Sequence, residues 1–211
     1  MKVLLVNGSP HKNGSTNRAL EEMKKTFEQE GLEAEIFWIG NKPVSGCIAC
    51  GGCAKTGRCV IDDCVNEFKD KASEADGFVF GAPVHYASNA GNMASFMDRI
   101  FYSNRERERY RLKPAACVAV CRRAGAEPAL ERMSKYFSLA EMPLINGFYW
   151  NDIFGHNAAE VEQDLEGLQN LRTVARNMVY YLKLQEAGRA AGIEMPQREE
   201  PRVYTSFFRK G

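Results

Sequence analysis

Four cysteines carry the densest chemistry in this sequence, spaced Cys47-x2-Cys50-x2-Cys53-x5-Cys59. The stretch that holds them also carries Gly46, Gly51, Gly52 and Gly57, so its backbone can curl tightly. Intervals of two residues let successive thiolates converge on one centre, which suits a [4Fe–4S] cluster. A structural zinc ion is the second option, because four sulfurs suit it too. A loop that holds no metal fits the same residues, and all three readings stand at this point. The chain has 7 cysteines, an odd number that argues against a disulfide framework. Cys64 follows one turn into the next helix and is assigned to packing. Cys117 and Cys121 fall in an apolar run and read as small core hydrophobes.

A second concentration lies in residues 8–17. Gly8 and Gly14 allow a tight turn that approaches a ligand closely. Ser9, Asn13, Ser15, Thr16 and Asn17 supply hydroxyls and amides, and His11 and Lys12 supply cationic or proton-donating groups. A helix beginning here presents unpaired N–H groups and the positive end of its dipole, which together seat an anion. Several neutral donors around one phosphate suit a terminal monoester. Neither G-x-x-x-x-G-K-[ST] nor G-x-G-x-x-G occurs, which disfavours a P-loop nucleotidase and a dinucleotide-binding dehydrogenase. Pro83-Val84-His85-Tyr86, with Ser88, and Arg122-Arg123-Ala124-Gly125 each follow an apolar strand and can line a ligand. His156 is a candidate on the substrate side.

The elements that must position these groups alternate regularly. Short apolar runs predict strands at residues 2–6, 33–39, 76–81, 115–121 and 143–150. Helical spacing predicts helices over 19–29, 65–73, 89–101, 127–139 and 164–185; Leu20, Met23 and Phe27 mark the first. Residues 40–60 read as a long loop and 83–86 as a short one. Strand then helix, repeated five times, predicts an α/β fold: a five-stranded, doubly wound parallel sheet with helices on both faces. One domain is expected over 1–187, with its cysteine loop at 46–60 and an irregular tail over 188–211.

Bulk properties narrow the function. Lys and Arg number 28 against 27 Asp and Glu, a formal net charge of +1 over 211 residues. That balance gives no support for nucleic-acid or membrane-surface binding, which draw on a basic excess. No apolar run approaches the roughly 18 residues that span a bilayer, and the first residues lack the pattern of a signal peptide. The expected location is the cytoplasm.

Three motifs in order then carry a resemblance. Val6-Asn-Gly-Ser-Pro-His-Lys-Asn-Gly-Ser-Thr resembles the phosphate loop of the NADPH-dependent FMN reductase family, which has the flavodoxin-like fold. Gly81-Ala-Pro-Val-His-Tyr, followed by Phe96-Met-Asp-Arg, resembles that family's second FMN loop and its following helix. The cysteine run, ending Lys55-Thr-Gly-Arg-Cys-Val-Ile-Asp-Asp, is similar to the subgroup that includes the iron-sulfur flavoproteins. The resemblance implies FMN held by three loops. Ser9, His11, Asn13, Ser15, Thr16 and Asn17 would hold the phosphate. Pro83, Val84, His85, Tyr86 and Ser88 would line the ring, and Arg122, Arg123 and Gly125 would flank its polar edge. His11 stands where the family often has arginine, and His85 where many relatives have tyrosine. Cys47, Cys50, Cys53 and Cys59 would be the cluster ligands.

The resemblance further implies electron transfer from NAD(P)H through FMN to a small acceptor such as a quinone, a nitro or azo compound, a flavin or a ferric chelate. An iron-sulfur electron carrier served by ferredoxin is the alternative, and a thiol or oxygen sensor a third. Arg107, Arg109 and Arg111, in a charged stretch that otherwise reads as solvated surface, are candidates for a nicotinamide 2′-phosphate. Dimers or tetramers are expected, with the aromatics Phe96, Phe101 and Tyr102 suited to the contact.

Overall fold

A computed structural model describes residues 1–104, 108–197, 200, 201, 203 and 205. In chain order the elements are β1 (Lys2–Asn7), α1 (Ser15–Gln29), β2 (Glu33–Trp38), α2 (Cys53–Thr56), α3 (Cys64–Ala72), β3 (Gly77–His85), β4 (Ser88–Asn89), α4 (Gly91–Tyr102), β5 (Ala115–Cys121), α5 (Ala126–Leu139), β6 (Asp152–Phe154), α6 (Ala158–Val161) and α7 (Leu165–Ala190).

Five strands pair in parallel in the order β2-β1-β3-β5-β6. The chain therefore winds outward in both directions from β1 and β3. That reversal opens a crevice at their carboxyl ends, where open α/β sheets bind ligands.

Alternation within β1 shows why both faces are covered. Leu4 and Val6 face one core with Phe78, Phe80 and Cys117, packed by Phe68 of α3, Phe96 and Ile100 of α4, and Phe137 of α5. Val3 and Leu5 face the other with Val79 and Val118, packed by Leu20 and Phe27 of α1 and Val174 and Met178 of α7. Each such side chain contributes about 1.5–3 kcal/mol when fully buried.

Several expected elements differ. Residues 143–150 are not a strand; they make a single bridge, Leu144 to Ala115. Instead Asn170 of α7 serves this backbone: its Oδ1 accepts from Phe148 N–H at 2.9 Å and its Nδ2 donates to Trp150 O at 2.8 Å. With those groups satisfied by a side chain, the fifth strand forms later, at β6. Pro83-Val84-His85 is not a free loop but the end of β3. It folds back as a hairpin on β4, with His85 opposite Ser88. The cysteine loop contains one short helix, α2, and α7 runs five residues beyond the expected 185 to Ala190, taking in Gly188. Phe96 is fully buried and Phe101 packs on Tyr110 and Tyr136, so these two aromatics serve the core; Tyr102 is exposed.

Candidate functional site

The crevice at the carboxyl ends of β1, β3 and β5 is a cavity of about 1040 Å³, at the upper end of the usual range for small-molecule sites. Its floor is the loop after β1, which Asn7 organises. Asn7 is fully buried; its Oδ1 accepts from Ser9 N–H at 3.0 Å, and its Nδ2 donates to Lys12 O at 3.1 Å and to Asn17 Oδ1 at 3.3 Å. The loop closes with Ser9 Oγ accepting from His11 N–H at 3.1 Å. Gly8 lets it lie against α4, because a Cβ there would meet Met93 at 2.8–3.0 Å.

The start of α1 is open to the cavity. Gly14 is the N-cap and offers no capping side chain, and no acidic residue stands in the first turn. The first N–H groups of a helix have no partner within it. Thr16 lies among them, 1% exposed, with its hydroxyl buried and without a hydrogen-bond partner. An unpaired buried hydroxyl carries a desolvation cost that a bound acceptor would remove.

Ser9, His11, Asn13, Ser15, Thr16, Pro83, Val84, His85 and Arg122 all line this cavity. Five other expected residues stand outside the lining. Asn17 is engaged with Asn7 beneath the loop. Ser88 is half-buried in the hairpin, its hydroxyl donating to Pro128 O at 3.3 Å. Tyr86 sits fully exposed at the hairpin turn with φ +54°. Arg123 points to solvent. Gly125 acts through the backbone: it is the N-cap of α5 at φ +90°, and a Cβ there would approach Val84 Cγ1 to 3.0 Å. It thus permits Val84 its place in the wall.

Sequence reading missed Trp38, whose Nε1 donates to Ser9 O at 2.8 Å, and Asn41, both at the cavity's edge. It also missed residues 155 and 157–159, which with His156 form the facing side. Their signal in sequence was weak because the strand that delivers them, β6, is three residues long. All three histidines of the chain line the cavity, with Lys12 and Arg122, and among the described residues no carboxylate does. Such a lining favours an anion. Cys121 also lines it, and burial raises its thiol pKa.

The expected rim of arginines lies elsewhere. Arg109 donates to Lys69 O at 2.8 Å, and Arg111 pairs with Glu141 at 2.9 Å and donates to Pro196 O. The segment after α4 leads into the amino end of β5, so these residues stand at the opposite end of the sheet from the cavity. Arg107 lies outside the described residues.

Cys47, Cys50, Cys53 and Cys59 line one small enclosure together with Ile48, Val60, Arg99 and Ser103. It shares no lining residue with the cavity. Its free volume is about 20 Å³, room for one water. Among the described residues no three His, Cys, Asp or Glu side chains stand together at metal-binding spacing. Arg99, 1% exposed, fixes the inner wall. Its guanidinium grips Asp63 through two bonds at 2.6 and 2.9 Å, donates to Ile61 O at 2.8 Å, and directs Nε and Nη2 at Cys59 Sγ, each at 3.3 Å. Cys64 stays outside the enclosure; burial pushes its thiol up to about 11.

A family model for NADPH-dependent FMN reductases matches residues 1–157. The chain belongs to this family. Among curated relatives, an iron-sulfur flavoprotein of Methanocaldococcus jannaschii is 28% identical over 193 residues, 87% of this chain and 98% of its own. An FMN-dependent NADPH-azoreductase of Staphylococcus aureus is 25% identical over 118 residues, 56% of this chain and 59% of its own. A solved structure, the flavoenzyme NAD(P)H:(acceptor) oxidoreductase FerB from Paracoccus denitrificans, superposes with a TM-score of 0.63. It is 19% identical over 87% of this chain and 97% of that one, a likeness of fold.

As an FMN reductase family member the protein is an FMN-dependent oxidoreductase with the flavodoxin-like sheet order. The cavity's chemistry fits the cofactor. An uncapped helix start, an unpartnered buried hydroxyl and a lining in which none of the described residues is a carboxylate match a phosphate monoester. Pro83 and Val84 present apolar surface beside it.

Proposed function

We propose that this protein oxidises a reduced nicotinamide cofactor and delivers the electrons to a small acceptor such as a quinone, a nitro or azo compound, a flavin or a ferric chelate. The observation that carries the reading is the open N-terminus of α1, with Thr16 buried and unpaired, in a cavity lined by three histidines, Lys12 and Arg122. FMN, when bound, supplies hydride acceptance and one-electron release.

The residues' task is then positioning. Ser9, Ser15, Thr16 and the α1 amides hold the phosphate, with His11, Lys12 and Asn13 around it. Pro83, Val84 and His85 form the wall for the ring. Arg122 offers N–H donors to its polar edge, and His156 faces the open side where a second substrate enters. Such chemistry requires no protein acid or base for hydride transfer. The azoreductase relative supports the nicotinamide donor. Purified protein with FMN should oxidise NADH or NADPH in the presence of one of these acceptors. No turnover with any of them would refute the reading.

A second reading concerns the thiols. Four cysteines around one enclosure, and the iron-sulfur flavoprotein relative, support a [4Fe–4S] cluster on Cys47, Cys50, Cys53 and Cys59, with ferredoxin as electron partner. Four sulfurs have the right chemistry, but among the described residues no three of them stand at metal-binding spacing and the space between them is about 20 Å³. Iron and sulfide analysis of anaerobically purified protein tests it, and flavin bands without iron would remove it. The expected partners are small molecules and copies of the chain, not nucleic acid or membrane; among the described residues no helix is long and apolar enough to cross a bilayer. Light scattering reads the oligomeric state.

A further inference from the structure

Around β6 the chain holds three aromatic rings partly in solvent, beside a carboxylate without a partner. Tyr149, Trp150 and Phe154 are 56%, 55% and 40% exposed. Their backbone is pinned. Asn170 accepts from Tyr149 N–H at 3.3 Å and donates to Trp150 O at 2.8 Å, and Asp164 accepts from Phe154 N–H at 2.8 Å. The Tyr149 and Trp150 rings lie 4.9 Å apart, tilted by 59°, and make a corner. With Asp152, Asp164 and Glu166 these rings line a pocket of about 290 Å³. That is just below the usual span of about 300–1,000 Å³ for drug-sized ligands, and suits a short chain.

Asp152 sets the pocket's chemistry. It is 8% exposed, and aspartate is almost never buried unless paired. Among the described residues no other residue donates a hydrogen bond to its carboxylate, and no cation forms an ion pair with it. Burial raises its pKa, as do the negative charges of Glu127, Asp164 and Glu166, while its own N–H pulls the other way. Asp164 is already engaged: besides Phe154 N–H it accepts from Gly167 N–H at 2.9 Å, which caps α7. Glu166 is exposed.

Among the described residues no lysine, arginine or histidine lines this pocket, the reverse of the larger cavity. No three carboxylates stand at metal-binding spacing among them, which argues against a bare metal ion. An aromatic corner beside a desolvated carboxylate matches a cation with an apolar body. Ring faces attract such a cation, tryptophan most strongly, and the carboxylate accepts its N–H groups.

We propose that this pocket binds a small organic cation, an alkylammonium or guanidinium group, with Asp152 as its counter-ion and Tyr149, Trp150 and Phe154 as its walls. It adjoins the larger cavity without belonging to it: Phe154 lines one and Gly155 the other. Neither the electron acceptor nor the thiol loop bears on this site.

Calorimetric titration of the full chain with FMN, at low salt, tests it with n-butylammonium chloride as the probe. n-Butanol and sodium butyrate match its size without its charge, and magnesium chloride supplies positive charge without an apolar body. n-Butylammonium should bind saturably, and the three controls should not. Asp152→Asn should weaken it about 10- to 150-fold, the range for losing a hydrogen bond to a charged group. Trp150→Leu should weaken it about 2- to 30-fold, the range for a lost cation–π contact. A lysine tripeptide with blocked ends separates the sources of the cation. Binding at least as tight as n-butylammonium assigns the pocket to a basic protein side chain, and weaker binding assigns it to free amines. No binding of n-butylammonium, equal binding of n-butanol, or an Asp152→Asn chain with wild-type affinity would overturn the proposal. Should Asp152→Asn not fold, unchanged affinity in Trp150→Leu overturns it instead.

Discussion

Thr16→Val should make the FMN-free protein no less stable while weakening its hold on FMN. Thr16 is 1% exposed and its hydroxyl has no partner. Valine keeps the β-branched shape and a similar helix propensity, so the packing of α1 is retained. Removing an unpaired buried hydroxyl relieves a desolvation cost of up to about 1–3 kcal/mol. For a domain of this size that raises the melting temperature by about 2–4 °C per kcal/mol. With FMN bound, the same hydroxyl donates to a phosphate dianion, and a hydrogen bond to a charged group contributes about 1.5–3 kcal/mol. Its loss therefore weakens FMN about 10- to 150-fold, at 1.4 kcal/mol per tenfold. Fluorescence titration of the FMN-free protein measures this, and riboflavin is the control because it lacks the phosphate. Riboflavin affinity should not change. Equal losses for FMN and riboflavin, or a destabilised FMN-free variant, would refute the assignment of α1 as the phosphate seat.

Gly125→Ala places a side chain at φ +90° and against Val84. It should cost about 1–2 kcal/mol, seen in a thermal melt as a drop of about 2–8 °C. Asp63→Ala removes both the N-cap acceptor for Val65 N–H and the partner of buried Arg99. Because Asp63 is partly exposed, the loss should fall near 2–4 kcal/mol in a denaturant titration, below the full cost of an unpaired buried charge. Burial pushes the Cys117 thiol up to about 12. In the folded, metal-free protein at pH 8, iodoacetamide should label exposed Cys47 and Cys50 and leave Cys117 intact until the chain is unfolded, as read by peptide mass spectrometry.

Much of the site was legible locally. Two glycines and a run of hydroxyl residues between a strand and a helix describe an anion seat whatever the rest of the chain does. The cysteine spacing likewise brings four thiols to one loop. Other features were hidden because distant residues decide them. Residues 143–150 have a strand's composition, yet Asn170, some twenty residues later, takes up their backbone hydrogen bonds. Tyr86 reads as a ring-lining aromatic, but the turn that joins β3 to β4 carries it into solvent. The arginines after α4 were expected at the cavity rim, and chain direction places Arg109 and Arg111 at the other end of the sheet.

The sequence by itself determined the α/β order, the parallel sheet and the glycine-bearing turn that leads into an open helix start. These follow from periodicity, from backbone freedom at Gly8 and Gly14, and from helix-start chemistry, all properties of contiguous residues. Tertiary structure alone decided which charges are balanced. Nothing in the sequence separates Arg99 from Lys69 as cations beside the cysteine loop. Folding brings Asp63 into hydrogen bonds with one, and the uncharged oxygens of Gly57 and Ser103 into hydrogen bonds with the other. Burial, which no local pattern specifies, makes that difference matter.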